Sequence, residues 1–250
     1  MKITLKQDQE LFFTSDTHYN HANICKATTE WKGADHLVRD FNSLHEMNDT
    51  LVNNINSMVG EDDVLIHDGD WSFGGIENIW EFRKRIICKN IHLILGNHDH
   101  HIERDKVLPN CHQNADGVII DGPWDDRYGD GRDDMFRVTA QQIFSSVNTY
   151  VEFDIRRPNR IDKKRIDKFY FVAMHYPISS WNHMNRGHIH VHGHVHLNPQ
   201  QRITGGRAMD VGVDGNGFFP IKMEKVRKLV GDRDIDTLKL PVDHHKDRVL

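Results

Sequence analysis

The chain has 250 residues, 38% hydrophobic and 28% charged, with a formal net charge of −5, the balance of a globular domain able to bury its own core. No apolar run approaches the ~20 residues of a membrane span, and the start, Met1-Lys2-Ile3-Thr4-Leu5-Lys6-Gln7-Asp8, has no secretory pattern. The acidic balance gives no broad field for nucleic acid, although Arg156-Arg157 with Lys163-Lys164-Arg165 leaves a local basic patch open. The expectation is one cytoplasmic α/β domain over 1–229 and a polar tail over 230–250.

In chain order, the apolar run Leu11-Phe12-Phe13-Thr14 reads as a strand that delivers Asp16 at its end. Leu37, Phe41, Leu44, Met47, Leu51, Ile55 and Met58 recur every three or four positions and predict an amphipathic helix from Asp35 to Met58. Asp63–His67 is a strand ending at Gly69-Asp70, Ile76–Ile87 a second helix, and Ile91–Leu95 a strand ending at Gly96-Asn97-His98-Asp99. The segment 115–137 is rich in Gly and Asp and is expected to be a mobile inserted loop. It does not match a calcium loop, because Tyr128 and Arg137 stand where Asp or Asn and then Glu are needed. Phe169–Ala173 ends at Met174-His175, and the alternating His188–His192 ends at Gly193-His194; Asp210–Asp214 is a last strand or strand end. The repeated β-loop-α order predicts an α/β sheet with its site beyond the strand carboxyl ends.

Cys25, Cys88 and Cys111 form no Cys-x-x-Cys pair and are read as reduced bystanders. The 19 histidines are the anomaly, and they cluster in His98-Asp99-His100-His101 and from His188 to His196. Asp16-Thr17-His18, Gly69-Asp70, Gly96-Asn97-His98-Asp99, His175 and Gly193-His194-Val195-His196 together supply the imidazole and carboxylate donors of a two-metal hydrolytic site.

This ordered series, from about Phe12 to Pro220, resembles the calcineurin-like metallophosphoesterase superfamily, and His175-Tyr176-Pro177 with Met209–Asp214 is similar to its small bacterial and phage members. The resemblance implies a four-layer α/β/β/α sandwich with mixed sheets, in the cytoplasm of the cell or of a phage's host. It implies that Asp16, His18 and His196 hold one divalent ion, that Asn97, His175 and His194 hold the other, and that Asp70 bridges them. Mn²⁺ is expected first, with Fe, Ni²⁺ or Zn²⁺ as alternatives. A bridging water would attack the phosphorus of a phosphate mono- or diester, His98 would protonate the leaving group, and Asp99 would hold the other nitrogen of His98.

A cyclic nucleotide, a nucleic-acid end or a free nucleotide are substrates the ligands do not separate. A metal-dependent nuclease and, less favoured, a non-catalytic scaffold of the same fold are the rival readings. Trp71-Ser72-Phe73 lacks the acidic residue common three places after the Gly-Asp aspartate. Gly187-His188-Ile189-His190 repeats the Gly-His-x-His pattern; Gly193–His196 is chosen because an alternating strand precedes it, and Gly193 is expected to make the bend that aims both histidines inward. The variable segments Tyr19–Gly33 and Gly117–Arg137 are expected to build the substrate walls.

Overall fold

A computed structural model describes residues 1–32, 38–123 and 135–235. Among the described residues, β14 (Ile221–Lys222), β2 (Leu11–Thr14), β3 (Val64–His67), β4 (Asn90–Ile94) and β8 (Ser146–Asn148) form a five-stranded sheet in that order. It is parallel except for β14, with Phe13 opposite Ile66 and His67 opposite Leu93. A six-stranded mixed sheet follows the order β1 (Lys2–Thr4), β9 (Val151–Pro158), β10 (Ile166–Ala173), β11 (Ile189–His192), β13 (Ala208–Asp210), β12 (Ile203–Gly205). Here β10, β11 and β13 are mutually parallel, β9 is antiparallel to β10 but parallel to β1, and β12 is antiparallel to β13.

The two sheets share one core. Phe13, Ile66 and Ile94 from the first meet Phe153, Phe171 and Val191 from the second, and the rings of Phe13 and Phe171 lie 4.9 Å apart. Burying each such side chain contributes about 1.5–3 kcal/mol. The alternate residues Phe12, Leu65 and Leu93 face the other way, which explains why these central strands read as unbroken apolar runs. On that outer face lie α1 (Leu44–Met58), through Val52 and Ile55, and α2 (Glu77–Arg83), through Ile79 and Phe82. The short α3 (His100–Glu103) adds Ile102 to the same cluster. At the opposite surface Lys168 and Tyr170 are exposed, and the chain around Trp181 lies over His190, ring to ring at 5.1 Å.

Several expectations change. The first helix begins at Leu44, not Asp35, because Ser43 caps it by accepting a hydrogen bond from the Glu46 N–H at 3.0 Å. Upstream, Arg39 is extended and exchanges backbone bonds with Ile24 and Lys26; Asp35 and Leu37 lie outside the described residues. The second helix stops at Arg83. The segment 115–137 is not simply a loop: β6 (Ile119–Asp121) and β7 (Met135–Thr139) pair antiparallel on either side of β5 (Val107–Asn114). The Gly- and Asp-rich stretch occupies only the middle of this segment, and 124–134 lies outside the described residues. An unexpected helix, α4 (Met223–Val230), sends Met223, Val226 and Val230 into the inter-sheet core. The polar tail beyond 235 lies outside the described residues. No helix among them is long and apolar enough to cross a membrane.

Candidate metal centre

Parallel pairing of β2, β3 and β4 sets their carboxyl ends side by side, so the loops after them meet. The Asp16 N–H donates to the Gly69 carbonyl at 2.9 Å and the His18 N–H to the Asp70 carbonyl at 3.0 Å. From the facing sheet, the ends of β10 and β11 bring His175 and His194, and Gly193 N–H donates to the His175 carbonyl at 2.9 Å.

The backbone there is strained. Asp16, His18, Asp70, His194 and His196 all have positive φ, between 46° and 72°, a left-handed conformation costing about 1–2 kcal/mol for a residue with a Cβ. Such outliers cluster where function demands them. In an extended chain, residues two apart point to opposite sides; the left-handed turns at His194 and His196 aim both rings inward. This corrects the expected bend at Gly193, whose φ is not positive. Gly193 serves by lacking a side chain: a Cβ there would lie 2.0 Å from Ser15 Oγ and 2.2 Å from Asp16 Oδ2. Gly69 needs both freedoms, with φ of 95° and His175 Nδ1 only 2.4 Å from where its Cβ would be.

All seven expected ligands converge. Asp16, His18 and His196 form one group able to hold an ion, with His196 Nε2 3.7 Å from Asp16 Oδ1 and 3.2 Å from His18 Nε2. Asn97 Oδ1 lies 3.1 Å from His175 Nε2 and 2.9 Å from His194 Nδ1. Between the groups, Asp70 Oδ2 is 3.4 Å from His18 Nε2 and 3.4 Å from His175 Nε2. Asp16 also falls within reach of Asp70 and His175 as a second acidic grouping.

The donor set fits cations. His175 Nδ1 donates to the Asp68 carbonyl at 2.7 Å, and His196 Nδ1 donates to Asp214 Oδ2 at 2.8 Å. Either ring, if neutral, would turn an Nε2 lone pair toward carboxylate, amide oxygen or another imidazole, an arrangement that a proton or a metal ion must reconcile. Burial works against charge on His175, yet its hydrogen bond to Asp70 and the charges of Asp16 and Asp70 raise its pKa to about 9. Burial lifts Asp16 to about 6, against the pull of His196 and His175. For Asp70 burial acts upward, but the hydrogen bond and charge of His175 and the His98 N–H bring it below its usual value.

Three supporting residues escaped the sequence reading. Arg39 is buried and its guanidinium spans Asp214 (2.8 and 2.9 Å) and the carbonyls of Thr17 (2.9 Å) and Asp16 (2.6 Å). Although burial acts upward on it, Arg39 and His196 hold the Asp214 carboxyl well below the usual range. Asp214 thus orients His196, as carboxylates behind ligating histidines do. The third is His21, buried and stacked on Phe73 with ring centroids 3.8 Å apart; its place three residues after His18 is the signal that could have found it.

His98 stands beside the ligands, half-buried, its ring edge-on to His18 at 5.3 Å, and its N–H donates to Asp70 Oδ1 at 2.8 Å. The expected contact from Asp99 to the His98 ring is not among Asp99's hydrogen bonds. Asp99 is buried, and its oxygens accept from the N–H groups of Asp70 (2.8 Å), Gly96 (2.8 Å) and Trp71 (3.0 Å). Burial and the nearby Asp70 charge, opposed by these N–H groups, raise its pKa to about 7. It is a clamp between two ligand loops.

The rival Gly-His-x-His does not reach the centre. His188 stacks on Tyr170 at 4.8 Å. His190 is fully buried, with Nδ1 3.0 Å from the Val172 carbonyl and Nε2 accepting from the Ile178 N–H at 3.3 Å. His192 pairs with Thr204 Oγ1 at 2.8 Å.

No protein-family profile matches the chain. An uncharacterized protein of Methanocaldococcus jannaschii is 32% identical over 102 residues, which are 40% of this chain and 52% of that protein; the chain spans about half the length of this curated relative. The crystal structure of a protein of unknown function from Aquifex aeolicus aligns over 89% of this chain and 100% of its own length, at 18% identity and a TM-score of 0.49.

Proposed function

We propose that the chain is a metal-dependent phosphoesterase acting on a phosphate mono- or diester, with two divalent ions in the calcineurin-like manner. The observation that carries this reading is the position of Asp70 Oδ2, 3.4 Å from the Nε2 atoms of both His18 and His175. One carboxylate so placed suits two cations close enough to share a phosphate. Asp16, His18 and His196 would hold one ion, Asn97, His175 and His194 the other, with Asp70 common to both. Mn²⁺ is the first expectation, with Fe, Ni²⁺ or Zn²⁺ as alternatives. Bound there, the ions supply Lewis acidity toward phosphate oxygens and lower the pKa of water.

The protein's own groups do the rest. Asn97 is a neutral donor, limiting negative charge where an anion must enter. His98 lies outside the ligand set but against its rim, placed to give a proton to the leaving oxygen. The four-layer sandwich belongs to the same reading; the paired sheets with α1 and α2 on one outer face support it in part. A nuclease is less favoured, since Arg156 pairs with Asp154 at 2.7 Å and Arg157 with Glu224, answering the two arginines of the basic cluster within the fold. The test is metal analysis with hydrolysis of p-nitrophenyl phosphate and bis-p-nitrophenyl phosphate in Mn²⁺. About two ions per chain with turnover of either ester is expected; a metal-replete protein that hydrolyses neither would remove the enzymatic reading.

A further inference from the structure

The ligands form one side of a cleft of about 150 Å³, and its other side is aromatic. His21, 6% exposed, lines it with Trp31, which remains 41% exposed. The two meet edge-on at 5.9 Å. His21 stacks on Phe73, and Phe73 in turn meets the His98 ring edge-on at 5.2 Å. The buried Nδ1 of His21 has no hydrogen-bond partner within the protein. Neither an open indole nor an unanswered buried ring nitrogen contributes to stability, and both are satisfied by a bound group that covers the indole and brings a polar atom to the nitrogen.

A second cavity of about 230 Å³ adjoins the first, lined by Phe73, Ile79, His98 and Ile102 with the Gly74-Gly75 backbone. His98 is a wall of both spaces. For an ester whose phosphate sits at the ligands and whose leaving oxygen faces His98, the carbon skeleton on that oxygen continues past Phe73 into the second cavity. Its lining is apolar at Ile79 and Ile102, with His100 and His101 also present. Together the two spaces fall in the lower part of the ~300–1,000 Å³ usual for small-molecule sites.

We propose that the ester is a nucleotide, its phosphate at the metal ligands, its sugar beside Trp31 in the first cleft and its base held flat against Phe73 in the second cavity. This rests on the phosphoesterase reading for the role of the phosphate, but the base pocket has its own test. Stacking of a base on an aromatic side chain changes affinity by about tenfold or more.

The test compares AMP with ribose 5-phosphate by isothermal titration calorimetry on the Mn²⁺-loaded protein. The two compounds share sugar and phosphate and differ in the base. AMP is expected to bind about tenfold or more tightly. Phe73→Leu should bring AMP close to ribose 5-phosphate while leaving the latter within about twofold. Trp31→Ala, at a position 41% exposed, should weaken both compounds together. Equal affinities for the two compounds in the unaltered protein, or no binding of either, would overturn the base pocket even if p-nitrophenyl esters are hydrolysed. Base-dependent binding without hydrolysis of any ester would keep the pocket and remove the phosphoesterase reading instead.

Discussion

Asp99→Asn separates two roles for one carboxylate. Asp99 Oδ2 accepts from the Asp70 and Gly96 N–H groups, and Oδ1 accepts from the Trp71 N–H. An asparagine keeping its oxygen on the two-donor side turns its NH₂ toward the Trp71 N–H, so one buried bond is lost and two donors meet. Above about pH 7, where Asp99 is ionised, losing a buried bond to this charged acceptor costs about 1.5–3 kcal/mol, and the stranded donor raises this to roughly 2–4 kcal/mol. For a domain of this size about 2–4 °C is lost per kcal/mol, so the melting temperature should fall by about 5–15 °C. Because the clamp joins the Gly69-Asp70 and Gly96-Asn97 loops, metal affinity should fall as well. The assay is thermal unfolding of the metal-free protein, followed by metal titration and the dependence of turnover on leaving-group acidity. An unchanged melting temperature, with turnover lost mainly for poor leaving groups, would refute the clamp and return Asp99 to the His98 ring.

His98→Ala should keep both ions yet lower kcat by about 10²–10⁴, less so for acidic leaving groups; an equal loss for aryl and alkyl esters would mean that it only positions phosphate. His196→Ala should release metal and abolish turnover, whereas His190→Ala should lower the melting temperature without altering metal content, because its ring is buried on Val172 and Ile178. Metal loss in the His190 variant would move the ligand set upstream. Metal and proton compete for His175, whose pKa is raised from 6.5 to about 9, so apparent metal affinity should rise with pH up to about 9. In the metal-free protein, the stability this shift contributes is present in full below about pH 6.5 and is lost as pH rises through about 9; calorimetry between these values showing a flat melting temperature and flat metal affinity would contradict the assignment.

The ligand segments were legible because each follows a short strand and all but His175 open with Gly or Asp, local signals that survive without tertiary knowledge. The strands β2, β3, β4, β10 and β11 were found to within a few residues for the same reason. Helix α1 reads too long at its start because Leu37 and Phe41 continue its spacing, whereas the Ser43 cap sets its first turn at Leu44. Strand β9 alternates buried Val151, Phe153 and Ile155 with more exposed neighbours, and α4 carries Met223, Val226 and Val230 at helical spacing; both patterns were visible but stood apart from the ligand motifs. Arg39 and the backbone clamp of Asp99 were not visible, because their partners are main-chain groups and, for Arg39, a carboxylate 175 residues away, which only the folded loops bring near. Asp214 had been seen as part of a motif, but its hold on His196 depends on a contact across 18 residues.

The Arg39 guanidinium, joining the chain at Asp16 and Thr17 to the chain at Asp214, has a consequence for the order of events during synthesis. A chain leaving the ribosome exposes Asp16, His18 and Asp70 early, and Asn97 next, but each proposed ion remains one histidine short until Gly193–His196 has emerged. Arg39 remains without its carboxylate for longer still, until residue 214 appears. Growth of the nascent chain therefore offers partial ligand sets that hold ions weakly, and the closed pair of sites arises only when the strands around β11 and β13 dock. On the proposed two-metal reading, loading would be a late, nearly all-or-none event in the life of the polypeptide, governed by the arrival of its second half.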